Sequence, residues 1–195
     1  MKSVIAIADT HIVDKPLRSL LPRSIIDLIE RSDLLVHAGS FTSIEAYEEF
    51  LELGELVAVA GAEDSVELQE KLDWSTVVHV EDLSIGVIHR GRHVSDAIGM
   101  GYLAREMGVD LLIHGYLHRP RVDKGVVTTI CPGSPTLPRM SIPSAMQICI
   151  DGDSLDIRLI VCSGRVCEYI SAFPPPKGSP RLQGDESYSS HQDIH

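Results

Sequence analysis

An α/β fold is the class this sequence predicts, and three observations point to it. Apolar residues make up 44% of the chain but aromatics only 5%, with Val, Ile and Leu gathered in short runs, the pattern of strands covered on both faces. The first three runs alternate with helix-like segments, which implies right-handed crossovers and a parallel sheet. Each of these runs ends in a polar turn: Asp9-Thr10-His11, Ala38-Gly39-Ser40 and Gly61-Ala62-Glu63-Asp64. A chain of 195 residues can bury a full core, and one domain is expected.

Residues 2–8 form the first strand, and Asp9 and His11 stand just past its carboxyl end, where open α/β sheets place ligand-binding groups. The segment to Pro22 holds two prolines and no steady period, so it is expected to be a loop. Ser24 is expected to cap a helix through residue 31 with Ile25, Ile26, Leu28 and Ile29 as its inward stripe. Residues 33–37 are the second strand. Ser43 opens another helix, with Glu45, Glu48 and Glu49 on its solvated face and Gly54 stopping it. Residues 56–60 are the third strand. Parallel strands put their carboxyl ends along one edge, so Asp9, His11, Ser40 and Asp64 are expected near one another.

From Trp74 onward the period changes. Residues 76–80 and 83–89 read as two strands meeting at Glu81-Asp82, a hairpin-like element ending in His89-Arg90-Gly91-Arg92-His93. A helix is expected from a cap at Ser95 to about Met107, closed by Gly108. Residues 110–114 form a buried strand that runs into Gly115-Tyr116-Leu117-His118-Arg119-Pro120, and residues 126–130 lead into Cys131-Pro132-Gly133-Ser134-Pro135. Residues 145–150 and 155–161 form a closing hairpin across Asp151-Gly152-Asp153. Beyond Phe173 three prolines precede a mixture of Ser, Gln, Gly and Asp, a disordered-tail composition. The domain is therefore expected over 1–173 and the polar tail over 174–195, with His191 and His195 as solvated tail residues.

The formal net charge is −11 and no segment is rich in Lys and Arg, which disfavours nucleic acid as a tight partner and an anionic membrane as a docking surface. No apolar run approaches membrane-spanning length, and the amino terminus enters a strand directly, so a cytoplasmic protein is expected. Four cysteines are too few and too scattered for a disulfide scaffold. Cys131 and Cys149 read as small core residues, Cys162 and Cys167 lack a second pair for structural zinc, and all four read as non-catalytic.

Taken in order, Asp9-x-His11, Gly39-Ser40, Gly61-Ala62-Glu63-Asp64, His89, Gly115-Tyr116-Leu117-His118 and Pro132-Gly133-Ser134 resemble the motifs of the calcineurin-like metallophosphoesterases. The resemblance is greatest to their small archaeal and bacterial phosphodiesterase branch, with the retromer subunit of the same fold as a relative, and it covers the chain to about Ile170. It implies a four-layer αββα sandwich, two mixed β-sheets flanked by helices. It also implies two metal ions at the strand ends, fed by Asp-x-His, Gly-Asp, Gly-Asn-x-Asp, a lone His and Gly-His-x-His, that make hydroxide and clamp the phosphate.

Three positions depart from that pattern: Ser40 stands for the bridging aspartate, Ala62 for the asparagine and Tyr116 for the first histidine of the last motif. Two dications about 4 Å apart repel by on the order of 15 kcal/mol at an effective dielectric of roughly 20, and serine supplies no charge to offset this. A methyl cannot coordinate, and a phenol with a pKa of about 10 is a poor ligand at neutral pH. The resemblance thus leaves Asp9, His11 and His118 for one ion, His89 alone at the second position, and Glu63 and Asp64 as weaker replacement carboxylates. At most one divalent metal per chain is expected, whether Mn, Zn, Fe or Ni.

Asp64 matches a family position that fastens its turn. His37 and His114 read as hydrogen-bonded wall residues and His79 as a surface residue. Arg90, Arg92, Arg119 and Arg139 fall beside the turns, and Arg90, Arg92, His93 and Arg139 are candidates for phosphate contacts. The expected function is metal-dependent hydrolysis of a phosphodiester or phosphomonoester, with activity reduced by the three substitutions. The alternatives are an inactive scaffold that binds a protein partner and a domain that binds a phosphorylated small molecule without turning it over.

Overall fold

The computed structural model describes residues 1–91, 96–163 and 166–171. Arg92, His93, the cap assigned to Ser95 and the tail assigned to 174–195 lie outside the described residues. The strands are β1 (Lys2–Ile7), β2 (Leu34–His37), β3 (Leu56–Ala58), β4 (Ser75–Val80), β5 (Leu83–Ile88), β6 (Leu111–His114), β7 (Pro120–Lys124), β8 (Thr128–Pro132), β9 (Ser144–Asp151), β10 (Ser154–Ser163) and β11 (Val166–Ser171). The helices are α1 (Leu17–Leu20), α2 (Arg23–Ile29), α3 (Ile44–Leu51), α4 (Val66–Lys71) and α5 (Ala97–Glu106). They form two mixed sheets, of order β11-β10-β9-β1-β2-β3 and β4-β5-β6-β8-β7.

Strand alternation builds the layers, because successive side chains point to opposite faces. In β1 and β2, Val4, Ala6, Leu34 and Val36 join Leu83, Ile85, Val87, Leu111 and Ile113 of the second sheet in one core. The intervening Ile5, Ile7 and Leu35 pack with Ile25, Ile29 and Phe50 of α2 and α3. On the far side of the second sheet, Ile88 and Leu112 pack against Met100 and Ala104 of α5. The result is the expected four-layer αββα sandwich, in which Val4–Ile7 of β1 and Leu34–Val36 of β2 are apolar because both faces are covered.

Several local expectations are corrected. α2 begins at Arg23 with Pro22 at its N-cap, so Ser24 lies inside the first turn rather than capping it. Proline suits that place because its ring fixes φ and its missing N–H is not needed there. The stretch read as a loop holds the single turn α1. α5 is capped by Asp96, whose Oδ accepts from Gly99 N at 2.9 Å. α4, β7 and β11 were not expected at all: α4 buries only Leu68, and β7 is a half-buried edge strand that offers Val122 alone to the core between the sheets. Among the described residues no helix is long and apolar enough to cross a membrane.

Candidate metal centre

β1, β2 and β3 run parallel in one sheet, and β5, β6 and β8 in the other. Their carboxyl ends meet at one edge, and the turns there interlock. Asp9 N donates to Gly39 O at 2.6 Å, His11 N to Ser40 O at 3.2 Å, and Ser134 Oγ to Asp9 O at 2.7 Å. Two glycines make the approach possible. A Cβ at Gly61 would overlap Ser40 Oγ, and one at Gly115 would come within 2.5 Å of Ala38 O and 2.8 Å of His89 Nδ1.

The backbone is strained at the same place. Asp9 (φ 54°), His11 (45°), Tyr116 (74°) and His118 (53°) all occupy the left-handed region, at a cost of about 1–2 kcal/mol each for a residue with a Cβ. Such conformations persist where the surroundings over-determine them. Here Asp9, wholly buried, is clasped by the turn after β6: Oδ1 accepts from Tyr116 N at 3.0 Å and Oδ2 from His118 N at 3.1 Å. The segment after β8 closes over it, since Ser134 Oγ also accepts from Leu137 N at 2.7 Å.

Three donors converge there. One ligand atom each from Asp9, His11 and His118 lies within 4.8 Å of the other two. The imidazole planes of His11 and His118 stack with centroids 5.0 Å apart and 7° between planes. His118 Nδ1–H donates to Leu137 O at 2.7 Å, which leaves the Nε2 lone pair free. His11 Nδ1 is held by Thr42 Oγ1 at 3.1 Å, and its Nε2 is buried without a hydrogen-bond partner. Burial, then the neighbouring His118, pushes the His11 pKa below the ordinary value, which favours the neutral imidazole that coordinates metal.

The other predicted residues divide. Asp64 spends both oxygens on its turn, accepting from Thr42 N at 2.7 Å and Gly61 N at 2.6 Å. Glu63 is exposed, with Oε2 3.6 Å from His11 Nδ1. His89 lies beside the centre, its Nδ1 3.8 Å from Asp9 Oδ1, but both ring nitrogens have protein partners: Ala38 O at 2.8 Å and the buried Ser40 Oγ at 3.3 Å. Ala62 is exposed. Tyr116 is 43% exposed and meets His89 edge-on, with the Arg90 guanidinium 4.5 Å above its ring. Arg139 is exposed, and its backbone N–H donates to His118 O at 3.0 Å.

His37 and His114 sit in the wall. His37 Nε2 pairs with Thr10 Oγ1 at 2.9 Å and its ring stacks on Phe41, while His114 Nδ1 bonds Gly115 O at 3.1 Å. Burial holds the pKa of both below the ordinary histidine value, that of His37 well below. Sequence reasoning missed Thr42, Thr136 and Leu137. Thr136 Oγ1 donates to Thr10 O across more than a hundred residues of chain, and no local pattern signals a tertiary bond of that kind.

The profile of the calcineurin-like phosphoesterase superfamily domain matches residues 1–153. The chain belongs to the calcineurin-like phosphoesterase superfamily. A probable metallophosphoesterase of Methanocaldococcus jannaschii is 35% identical over 161 residues, 79% of this chain and 78% of that protein. Another, from Methanothermobacter thermautotrophicus, is 32% identical over 167 residues, 85% of this chain and 95% of that one. Among solved structures, wild-type Vps29 of Entamoeba histolytica complexed with Zn2+ has the same fold, with a TM-score of 0.71, 23% identity and coverage of 87% of this chain and 98% of that one.

Phosphoesterases of this superfamily use divalent metals. The donor set fits one: two imidazoles and a carboxylate are a common ligand combination for a dication, and the orphaned His11 Nε2 is a buried polar atom that lacks a partner.

Proposed function

We propose that this chain is a metal-dependent phosphoesterase that works with a single divalent ion, of the Mn, Zn, Fe or Ni group, held by Asp9, His11 and His118, and that it hydrolyses phosphodiesters or phosphomonoesters slowly. The observation that carries the reading is the convergence of those three donors around the unpartnered His11 Nε2. When bound, such an ion supplies Lewis-acid polarisation of the phosphoryl group and activation of water.

The chain's own residues prepare that chemistry. The N–H groups of Tyr116 and His118 hold the Asp9 carboxylate in place. Leu137 O and Thr42 Oγ1 orient the two imidazoles with their free nitrogens toward one point. Ser40 offers a hydroxyl in place of a charge and bonds His89, so the residues beside the centre are satisfied by one another rather than waiting for a second ion. That pairing supports reduced activity, and it also favours a second reading, a fold-keeping member that binds a partner without turnover.

Metal analysis joined to a turnover assay separates the readings. Wild type is expected to hold one ion per chain and to hydrolyse bis(p-nitrophenyl) phosphate weakly, with both lost in Asp9→Asn and His118→Ala. Two tightly held ions with brisk hydrolysis would overturn the one-ion reading. A folded, metal-free and inactive wild type would leave the binding role.

A further inference from the structure

The turn after β5 carries a cation that the proposed one-ion centre does not use. Arg90 lies with its guanidinium 4.5 Å above the Tyr116 ring, and Tyr116 in turn meets His89 edge to face with centroids 6.0 Å apart. The ion pairs formed by arginine among the described residues belong to Arg18, Arg23, Arg121 and Arg158, so no described carboxylate neutralises Arg90. In a chain with 28 acidic and 17 basic residues, an arginine at the site's mouth that pairs with a ring instead of an acid keeps its charge available. A guanidinium held over an aromatic face by a cation–π contact still has its N–H donors to offer an anion.

Tyr116 is joined to the candidate centre through its own backbone, since its N–H binds Asp9 Oδ1 at 3.0 Å. The residue that fixes the metal-ligating carboxylate therefore also carries the platform for the cation. Resting on the phosphoesterase reading above, we propose that Arg90, positioned by the Tyr116 ring, is the phosphate-binding group of this site and supplies the positive charge a second ion would otherwise bring. Its planar fork matches two non-bridging oxygens of a tetrahedral phosphoryl group, a geometry a lysine ammonium cannot reproduce. The anion class is a phosphomonoester or phosphodiester, and the charge on the phosphorus end, rather than its organic group, is what this contact reads.

Binding of inorganic phosphate and of dimethyl phosphate, followed by calorimetry or by NMR titration of the full chain, tests this in the presence of chelator and again with Mn2+. Arg90→Ala and Arg90→Gln are expected to weaken inorganic phosphate binding by about ten- to a hundredfold, the weight of a charge-assisted bidentate contact. Arg90→Lys should fall between them and wild type. Tyr116→Phe keeps the aromatic face and should hold affinity within about twofold, whereas Tyr116→Ser should lose about two- to fivefold through the missing platform. Arg31→Ala removes an exposed charge just before β2, at the opposite end of the sheet, and should leave binding unchanged. Equal affinity in wild type and Arg90→Ala, or an equal loss in Arg31→Ala, would overturn the assignment. Dimethyl phosphate binding that depends equally on Arg90 extends the site to diesters, while a loss confined to inorganic phosphate assigns it to monoesters. Mn2+ binding without Arg90-dependent phosphate binding rejects this inference alone. Arg90-dependent phosphate binding in a protein that takes up no metal rejects the one-ion reading and leaves the anion site standing.

Discussion

Replacing Ser40 by aspartate should make stability conditional on metal. The Ser40 side chain is fully buried and its Oγ lies 3.3 Å from His89 Nε2, while His89 Nδ1 lies 3.8 Å from the equally buried Asp9. Ser40→Asp therefore adds a second buried carboxylate against the same imidazole. An uncompensated buried charge costs about 3–5 kcal/mol, and for a domain of this size each kcal/mol moves the melting temperature by roughly 2–4 °C. In chelator the variant is expected to melt roughly 6–20 °C below wild type. A dication that binds only the folded state returns RT ln(1 + [L]/Kd), about 4 kcal/mol at a thousandfold excess over Kd. Saturating Mn2+ should thus close most of the gap, and metal analysis should find more ion per chain than in wild type. Differential scanning calorimetry with and without Mn2+ reads both numbers. A Ser40→Asp protein that melts with wild type in chelator, or whose deficit persists in Mn2+, would refute the view that position 40 faces a metal-binding space short of charge.

Three further outcomes are expected. Gly61→Ala should destabilise by about 1–3 kcal/mol, because the new Cβ overlaps Ser40 Oγ and stands 2.8 Å from Ser40 Cβ, and urea titration should move the midpoint without changing the slope. Ser134→Ala leaves the buried Asp9 carbonyl and the Leu137 N–H each without this partner, at about 1–3 kcal/mol, and should weaken metal binding measured by calorimetry through the loosened Asp9 turn. In chelator, stability should fall as pH drops below about 6.5. His37 and His114 have folded pKa values below the ordinary one, so the unfolded chain binds more protons there, with a slope of up to about 1.4 kcal/mol per pH unit for each group. His37→Phe should reduce proton uptake on unfolding by about one, and a pH profile of the melting temperature that is unchanged in that variant would contradict the assignment.

What was legible in the sequence was what burial dictates locally. β1, β2 and β6 are apolar on both faces, so their runs stand out, and their turns follow at fixed places. Asp9, His11 and His118 were therefore readable as neighbours without a structure. Elements that bury little left little trace: α4 contributes Leu68, and β7 runs along an edge with polar residues at most positions. Ser43 caps α3 as expected, but the cap of α2 departs from expectation for a different reason. A serine is a plausible cap wherever it precedes an apolar stripe, but Pro22 stands at the N-cap of α2 and leaves Ser24 inside the first turn. The supporting bonds of the site, from Thr42, Ser134 and Leu137, join turns from different strands and could not be read from spacing.

That Tyr116 stands where the resemblance implies a ligating histidine was visible in the sequence, but its contact with Arg90 was not, because it depends on where Arg90 comes to rest. Under the proposed one-ion function, Ser40 and Tyr116 differ in what they add. Ser40 is buried and bonds His89, a pairing that takes the place of a second ion under the proposed one-ion function. Tyr116 is partly exposed and lies under the Arg90 guanidinium, and under the proposal above that cation stands in for the second ion's charge. One dication, one carboxylate and one guanidinium still leave an excess of positive charge for a phosphoryl group to meet, without the repulsion of two ions sharing a site. A centre of that kind gives up the second ion's power to polarise water and keeps its power to bind an anion. Under the proposed function, tight phosphate binding with slow turnover is the combination to expect.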